Sequence, residues 1–366
     1  MTSATGETCG NVEPPVAMLA ELTHRCPLRC PYCSNPMELE RMATELSTAT
    51  WRDVFEQAAR LGVLHVHLSG GEPMVRRDLE ELVARAEHLG LYTNLITSGV
   101  LLDRERLRRL AGAGLQHVQV SLQDDRPERA DEVAGAPGMH GRKLQALDHV
   151  RAVGLPLTIN VVLHRRNVER IDELVALALD TGASRLELAH VQYHGWASAN
   201  VAALLPDDGQ IDRAVAKVDA ARQRLRGRLA IDHVLPDYLS DRPKACMSGW
   251  GRRFLVIDPR GRVLPCHHAA SLPGLTVPTV DDTTLHEIWY HSALFGRFRG
   301  TSWMPEPCRS CPERERDWGG CRCQAFSMTG DMEATDPACA LSPHRARMLR
   351  IREDRPVDSF VYRSNP

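Results

Sequence analysis

The chain has 366 residues, 43% hydrophobic and 25% charged, with a formal net charge of −2. This ordinary globular composition excludes a strongly basic surface that would hold a phosphate backbone, so no nucleic-acid partner is expected. No apolar run approaches the roughly 20 residues needed to span a bilayer, and MTSATGETCGNVEPP lacks a charged segment followed by an apolar one. The expectation is a cytoplasmic protein with no membrane partner.

In chain order, short apolar runs alternate with helical patterns. Strands are predicted over 16–22, 64–69, 91–97, 115–122, 155–163 and 184–191. Between them, stretches such as 51–62 and 171–182 repeat apolar residues at helical spacing. Gly62, Gly90, Gly114, Gly154 and Gly182 each stand where a helix should stop before the next strand. Six βα units imply a parallel sheet with helices outside, fewer than the eight of a closed barrel. The α/β fold predicted for 1–205 is therefore an open, partial (β/α)6 TIM barrel. Residues 206–240 predict a bridging helix with an acidic start and a basic end. From 241 cysteine, proline, glycine and tryptophan rise, which predicts a smaller metal-organised domain over 241–345 and a tail over 346–366.

The 11 cysteines are unevenly placed: three lie between Cys26 and Cys33, seven between Cys246 and Cys339, and Cys9 stands alone. A disulfide framework is out of place in a large protein without an export signal, so the clusters read as metal ligands. Cys9 is expected to be an uninvolved thiol. After the first strand, THRCPLRCPYCSNP places Cys26, Cys30 and Cys33 in a C-x3-C-x2-C pattern. Three thiolates on a four-iron cubane leave one iron without a protein ligand, and S-adenosylmethionine (SAM) can chelate that iron through its amino and carboxylate groups. A structural zinc site would need a fourth ligand, for which His24 is the nearest candidate. After the second strand stands SGGEP, residues 69–73. Its glycines allow close backbone approach, and Glu72 offers a carboxylate to an ammonium group.

Together these two motifs resemble the radical SAM superfamily over roughly residues 12–205. The resemblance implies a 4Fe–4S cluster on Cys26, Cys30 and Cys33, with Gly70, Gly71, Glu72 and Pro73 along the methionine part of SAM. It places Tyr32 against the adenine and Ser98, Ser121 and Asn160 at the carboxylate or ribose. Where many relatives carry SLDG, this chain has Ser121, Leu122, Gln123 and Asp124, so the carboxylate stands one place later.

The distal cysteines lie in CMSGW, GRVLPC, CRSCPERERDWGGCRC and DPAC. These pieces resemble a SPASM domain, the extension of radical SAM peptide-modifying enzymes that holds two auxiliary iron–sulfur clusters. One position where the family pattern has cysteine holds Asp317, and Cys323 is additional. The ligand sets read accordingly are Cys246, Cys266, Cys321 and Cys323 for the first cluster, and Cys308, Cys311, Asp317 and Cys339 for the second. Four ligands suit 2Fe–2S or 4Fe–4S alike.

HVQYHGWA (190–197) and GGCRCQAF (319–326) resemble the PqqE family of pyrroloquinoline quinone (PQQ) biosynthesis. That resemblance implies a 5′-deoxyadenosyl radical that joins a glutamate to a tyrosine side chain of the precursor peptide PqqA by a C–C bond. It also implies the peptide chaperone PqqD, a flavodoxin-like or other one-electron reductant, 2Fe–2S for the first auxiliary cluster and 4Fe–4S for the second. Tyr193 and His194 are the catalytic candidates, with Gln192 and Trp196 beside them. His65 and His67 are expected to be packed or hydrogen-bonded, and His267 and His268, beside Cys266, either to tune a cluster or to be exposed loop residues. The competing readings are another SPASM maturase, thioether-forming or sulfatase-maturating, and a zinc-stabilised peptide-binding protein.

Overall fold

The computed structural model describes residues 12–353 and 356–365; Cys9 lies outside the described residues. The six expected strands form as β1 (Ala17–Thr23), β2 (His65–Gly70), β3 (Tyr92–Thr97), β4 (His117–Leu122), β5 (Leu157–Leu163) and β6 (Arg185–His190). Around them run α1 (Thr48–Leu61), α2 (Leu79–His88), α3 (Arg104–Gly112), α4 (Pro127–Ala134), α5 (Met139–Val153) and α6 (Ile171–Asp180). Helix α1 shows how the pattern works locally. The Ser47 hydroxyl accepts from the Thr50 N–H at 3.1 Å, Trp51 and Phe55 are buried against the sheet, and Gly62 ends the helix at φ 101°.

The sheet has nine strands rather than six, in the order β7-β6-β5-β4-β3-β2-β1-β8-β9. In the 206–240 stretch the expected helix forms, capped by Asp207, and a strand the sequence reading did not include follows it. After the short α7 (Val201–Leu204), α8 (Asp208–Arg224) is followed by β7 (Ala230–Val234), which pairs in parallel with β6. On the other edge, β8 (Phe254–Ile257) of the cysteine-rich region pairs in parallel with β1, and β9 (Val263–Leu264) turns back antiparallel. The sequence runs for β7 and β8 are short, and an edge strand acquires its identity only from the neighbour it pairs with. The sheet is not closed into a ring.

Helices α9 (Leu285–His291), α10 (Ala293–Gly296), α11 (Arg314–Asp317) and α12 (Arg322–Thr329) complete the cysteine-rich region. Inside the barrel a polar row crosses the strands. His67 meets Asn94 at 3.2 Å and Gln119 reaches Glu187 at 3.4 Å, which accounts for His67. His65 is exposed and stacks edge-on to Tyr92 at 5.3 Å. Among the described residues, no helix is long and apolar enough to cross a membrane.

Candidate active site

At the end of β1 the register with β2 shifts between Glu21 and Thr23, and such a bulge re-aims the chain that follows. The cysteine loop starts there. Gly71 N donates to Thr23 O at 2.6 Å and Glu72 N to Arg25 O at 2.8 Å, which ties the loop to the end of β2. A Cβ on Gly71 would lie 2.4 Å from the Arg25 carbonyl oxygen, so the glycine is required by contact between two backbones.

Cys26, Cys30 and Cys33 are free thiols on this loop, all partly buried. Burial pushes Cys26 up to about 12 and Cys30 up to about 11, and raises Cys33 as well. Yet donors point at the sulfurs: Leu28 N–H at 3.4 Å from Cys26 and the Gln123 amide at 3.8 Å from Cys30. Buried sulfurs that receive N–H groups suit thiolates on a cationic metal centre, which repays their desolvation. His24 shares no cavity with the three thiols. Its Nδ1 accepts from the Glu40 N–H at 2.9 Å and its Nε2 faces Glu21 at 3.7 Å. The loop therefore fits a cluster with one unligated iron and does not complete a four-ligand zinc site.

A cavity of about 350 Å³ opens beside the thiols, lined by Tyr32, Gly70, Gly71, Ser98, Ser121 and Asn160 among the expected SAM residues. Pro73 is absent from that lining, and so is Glu72, expected to face an ammonium group. Its carboxylate is fully buried and accepts from Met74 N at 3.0 Å, Thr97 Oγ1 at 2.7 Å, Ser98 N at 2.8 Å and the Ser98 hydroxyl. Four internal donors consume it, so it aims Ser98 rather than a ligand.

Three lining or flanking residues escaped the sequence. Gln123 occupies the place where relatives have an acid, and a change of residue at a motif position was the available signal. Lys143 on α5 donates to Ser121 O at 2.6 Å, and burial pulls it down to about 8. Arg363 comes from the far C-terminus and also lines the cavity.

Beyond the β6 end lies a second cavity of about 580 Å³, between barrel and cysteine-rich region. Tyr193 and His194 line it, together with Cys323, Glu21, His267 and His268. His267 and His268 are thus not exposed loop residues: both are partly buried, because β8 folds their loop against β1. Glu21 is buried yet held at about 2, since the imidazoles of His267 and His24 outweigh its burial; His267 Nδ1 lies 2.6 Å away and is raised in turn. His194 stacks on His268 at 4.6 Å, and burial lowers its pKa. Gln192 faces the first cavity instead. Trp196 is buried and donates to Pro36 O at 3.3 Å, bracing the two loops.

The distal cysteines gather as two sets. Cys266 and Cys323 stand 3.7 Å apart, and Cys246 and Cys321 complete a ring in which each sulfur neighbours two others. Neighbouring thiols and burial raise all four. The Cys321 Sγ also caps α12, accepting from Gln324 N at 3.4 Å. Cys308, Cys311, Asp317 and Cys339 line one small pocket. The Asp317 carboxylate acts on Cys308 and Cys339 alike. Buried Asp336 sits between the sets, accepting from Cys321 N at 2.6 Å and from the Gln324 amide at 2.8 Å while also lining the small pocket of Cys308, Cys311, Asp317 and Cys339.

Known proteins resemble this chain in sequence and in fold. The profile of the radical SAM superfamily matches residues 20–178, and that of SPASM, an iron–sulfur cluster-binding domain, matches residues 246–312. The chain is 56% identical over 352 residues to a PqqA peptide cyclase of Gluconobacter oxydans (96% of this chain, 98% of that protein). It is 55% identical over 355 residues to one of Granulibacter bethesdensis (96% of this chain, 95% of that protein). Among solved structures, Streptococcus suis SuiB bound to S-adenosylmethionine superposes with a TM-score of 0.75 at 21% identity, covering 90% of this chain and 78% of that one. SuiB bound to its precursor peptide SuiA gives 0.74 at 20%, covering 90% and 77%.

Proposed function

This chain belongs to the radical SAM superfamily, within the family of the PqqA peptide cyclases, and from that membership we propose that it cross-links a glutamate to a tyrosine side chain of PqqA by a C–C bond in PQQ biosynthesis. The observation that carries the proposal is the pair of cavities on either side of the β6 loop, one beside three thiols without a fourth protein ligand, the other reaching Cys323.

Cys26, Cys30 and Cys33 would hold a 4Fe–4S cluster, Cys246, Cys266, Cys321 and Cys323 the first auxiliary cluster, and Cys308, Cys311, Asp317 and Cys339 the second. Bound there with SAM, these groups supply one-electron cleavage of the sulfonium, hydrogen-atom removal from the peptide and an acceptor for the electron lost when the tyrosine ring regains aromaticity. The chain's own residues position the reaction. Gly70 and Gly71 let the β2 turn press against the cysteine loop, and Glu72 fixes the Ser98 hydroxyl at the cavity wall. Tyr32 and Asn160 bound the same space. In the second cavity Glu21 holds Nδ1 of His267, leaving Nε2 as the nitrogen free to exchange a proton. Tyr193 and His194 line that cavity as the candidates for contact with the tyrosine of the peptide. PqqD as chaperone, a flavodoxin-like reductant and a cytoplasmic setting belong to the same proposal.

The test is anaerobic reconstitution with iron and sulfide, followed by incubation with SAM, reductant, PqqA and PqqD. The expected product is deoxyadenosine together with a PqqA lighter by two hydrogens. Deoxyadenosine without that mass loss would point to a different maturase reaction, and intact SAM would overturn the proposal altogether.

A further inference from the structure

The C-terminal residues do not trail away from the fold. Segment 356–365 returns to the barrel and is laced to its loops and helices. Val357 N donates to Ala202 O at 3.1 Å, and the Asn200 amide both donates to Val361 O at 2.8 Å and accepts from Val361 N at 2.7 Å. Arg166 lies over the Phe360 ring at 4.2 Å, and Tyr362 donates to Glu132 O at 3.0 Å. Arg363 and Arg29 exchange bonds at the cysteine loop itself: Arg363 N to Arg29 O at 3.2 Å, and Arg29 Nε to Arg363 O at 3.1 Å.

All this delivers one cation to the first cavity. Arg363 is 1% exposed. One terminal nitrogen donates to Asn365 Oδ1 at 2.6 Å and the other to the His24 carbonyl, while Nε is buried without a partner. Among the described residues no carboxylate neutralises it. A buried guanidinium is costly without an anionic neighbour, and an anion in the space it faces offsets that cost. It lines the cavity with Cys26, Cys30 and Cys33, and its charge acts on all three thiols.

We propose that Arg363 is the counter-charge of the three-cysteine site: carried in by the C-terminal strap, it offers its free Nε–H and its positive charge to the thiolate-bound cluster and raises that cluster's reduction potential. This rests on the cluster assignment proposed above. A cation buried beside an anionic redox centre stabilises least the oxidised form, which carries less negative charge, and most the reduced form. The strap is then part of the active site, and an electron reaches the cluster more easily because the strap is in place.

The experiment uses the full chain, reconstituted anaerobically as wild type, Arg363→Gln and Arg363→Lys. Iron per chain is measured, and a potentiometric titration is followed by electron paramagnetic resonance on the signal that changes when SAM is added. The expected result for Arg363→Gln is a midpoint shifted to more negative potential, or loss of the SAM-responsive signal with the other cluster signals retained. Arg363→Lys should lie closer to wild type in both readouts. An unchanged midpoint in loaded Arg363→Gln overturns the inference, and so does equal loss of the signal in both variants, which would mean that the strap matters only through its shape. If wild type itself shows no SAM-responsive signal, the cluster assignment falls and this inference with it; the first two outcomes remove only the role of Arg363.

Discussion

Glu72→Gln separates a carboxylate that supports the fold from one that touches a ligand. Oε1 of Glu72 accepts from Met74 N at 3.0 Å and Thr97 Oγ1 at 2.7 Å, and Oε2 from Ser98 N at 2.8 Å and the Ser98 hydroxyl. In glutamine one of these oxygens becomes an NH2 group. Whichever way the amide turns, one backbone N–H, of Met74 or of Ser98, then meets a donor. A hydroxyl can rotate to accept, but a backbone N–H cannot, and leaving it unpaired costs about 1–3 kcal/mol. The surviving bonds also lose their charged acceptor, which removes about another 1 kcal/mol. A total of about 3 kcal/mol corresponds to a fall of about 6–12 °C in the unfolding midpoint of a domain of about 150–250 residues. The assay is thermal unfolding of the metal-free protein, wild type against variant, without SAM. If Glu72 instead faced a ligand, the unloaded variant would unfold within about 1–2 °C of wild type, as surface substitutions do, and only SAM binding would weaken. That result would refute the hydrogen-bond reading.

Gly71→Ala should spare the cysteine-rich region but displace the cysteine loop, because the new methyl would lie 2.4 Å from Arg25 O and 2.6 Å from His24 O, both backbone atoms. Reconstituted iron should fall and the SAM-responsive signal vanish while the auxiliary signals persist. Cys323→Ala and Asp317→Ala should each abolish PqqA cross-linking while SAM cleavage continues, read by mass analysis of peptide and nucleoside together; normal cross-linking rates would remove the electron-transfer role. Acid should destabilise the unloaded protein through His164 and His190, both pulled down to about 3, by burial first and then by neighbouring charge. Unfolded, a histidine binds its proton near 6.5, so the stability these residues contribute is complete above that value and drains away as pH falls towards 3. His190→Asn should flatten the dependence of the unfolding midpoint between those limits, and an unchanged slope would count against buried neutral imidazoles.

Local chemistry made much of this protein legible in one dimension. Alternating strand and helix periods, each helix stopped by a glycine, specify the six βα units whatever the rest of the chain does. The spacing of Cys26, Cys30 and Cys33 survives folding because all three lie on one loop tied to the neighbouring Gly70–Gly71 turn. The distal cysteines are legible as a group by their clustering in the chain, and the fold gathers them into two sets. What the sequence cannot carry is partnership between distant segments. β7 and β8 are too short to declare themselves, and become strands only because β6 and β1 present open edges. The direction of Glu72 depends on Thr97 and Ser98, 25 and 26 residues away. His267 looks like a surface residue until β8 lays it beside Glu21, and Arg363 looks like part of a tail until the strap folds it under His24. A side chain's type is local, but the charge and donors facing it are set by whichever strand, loop or tail the tertiary fold brings near.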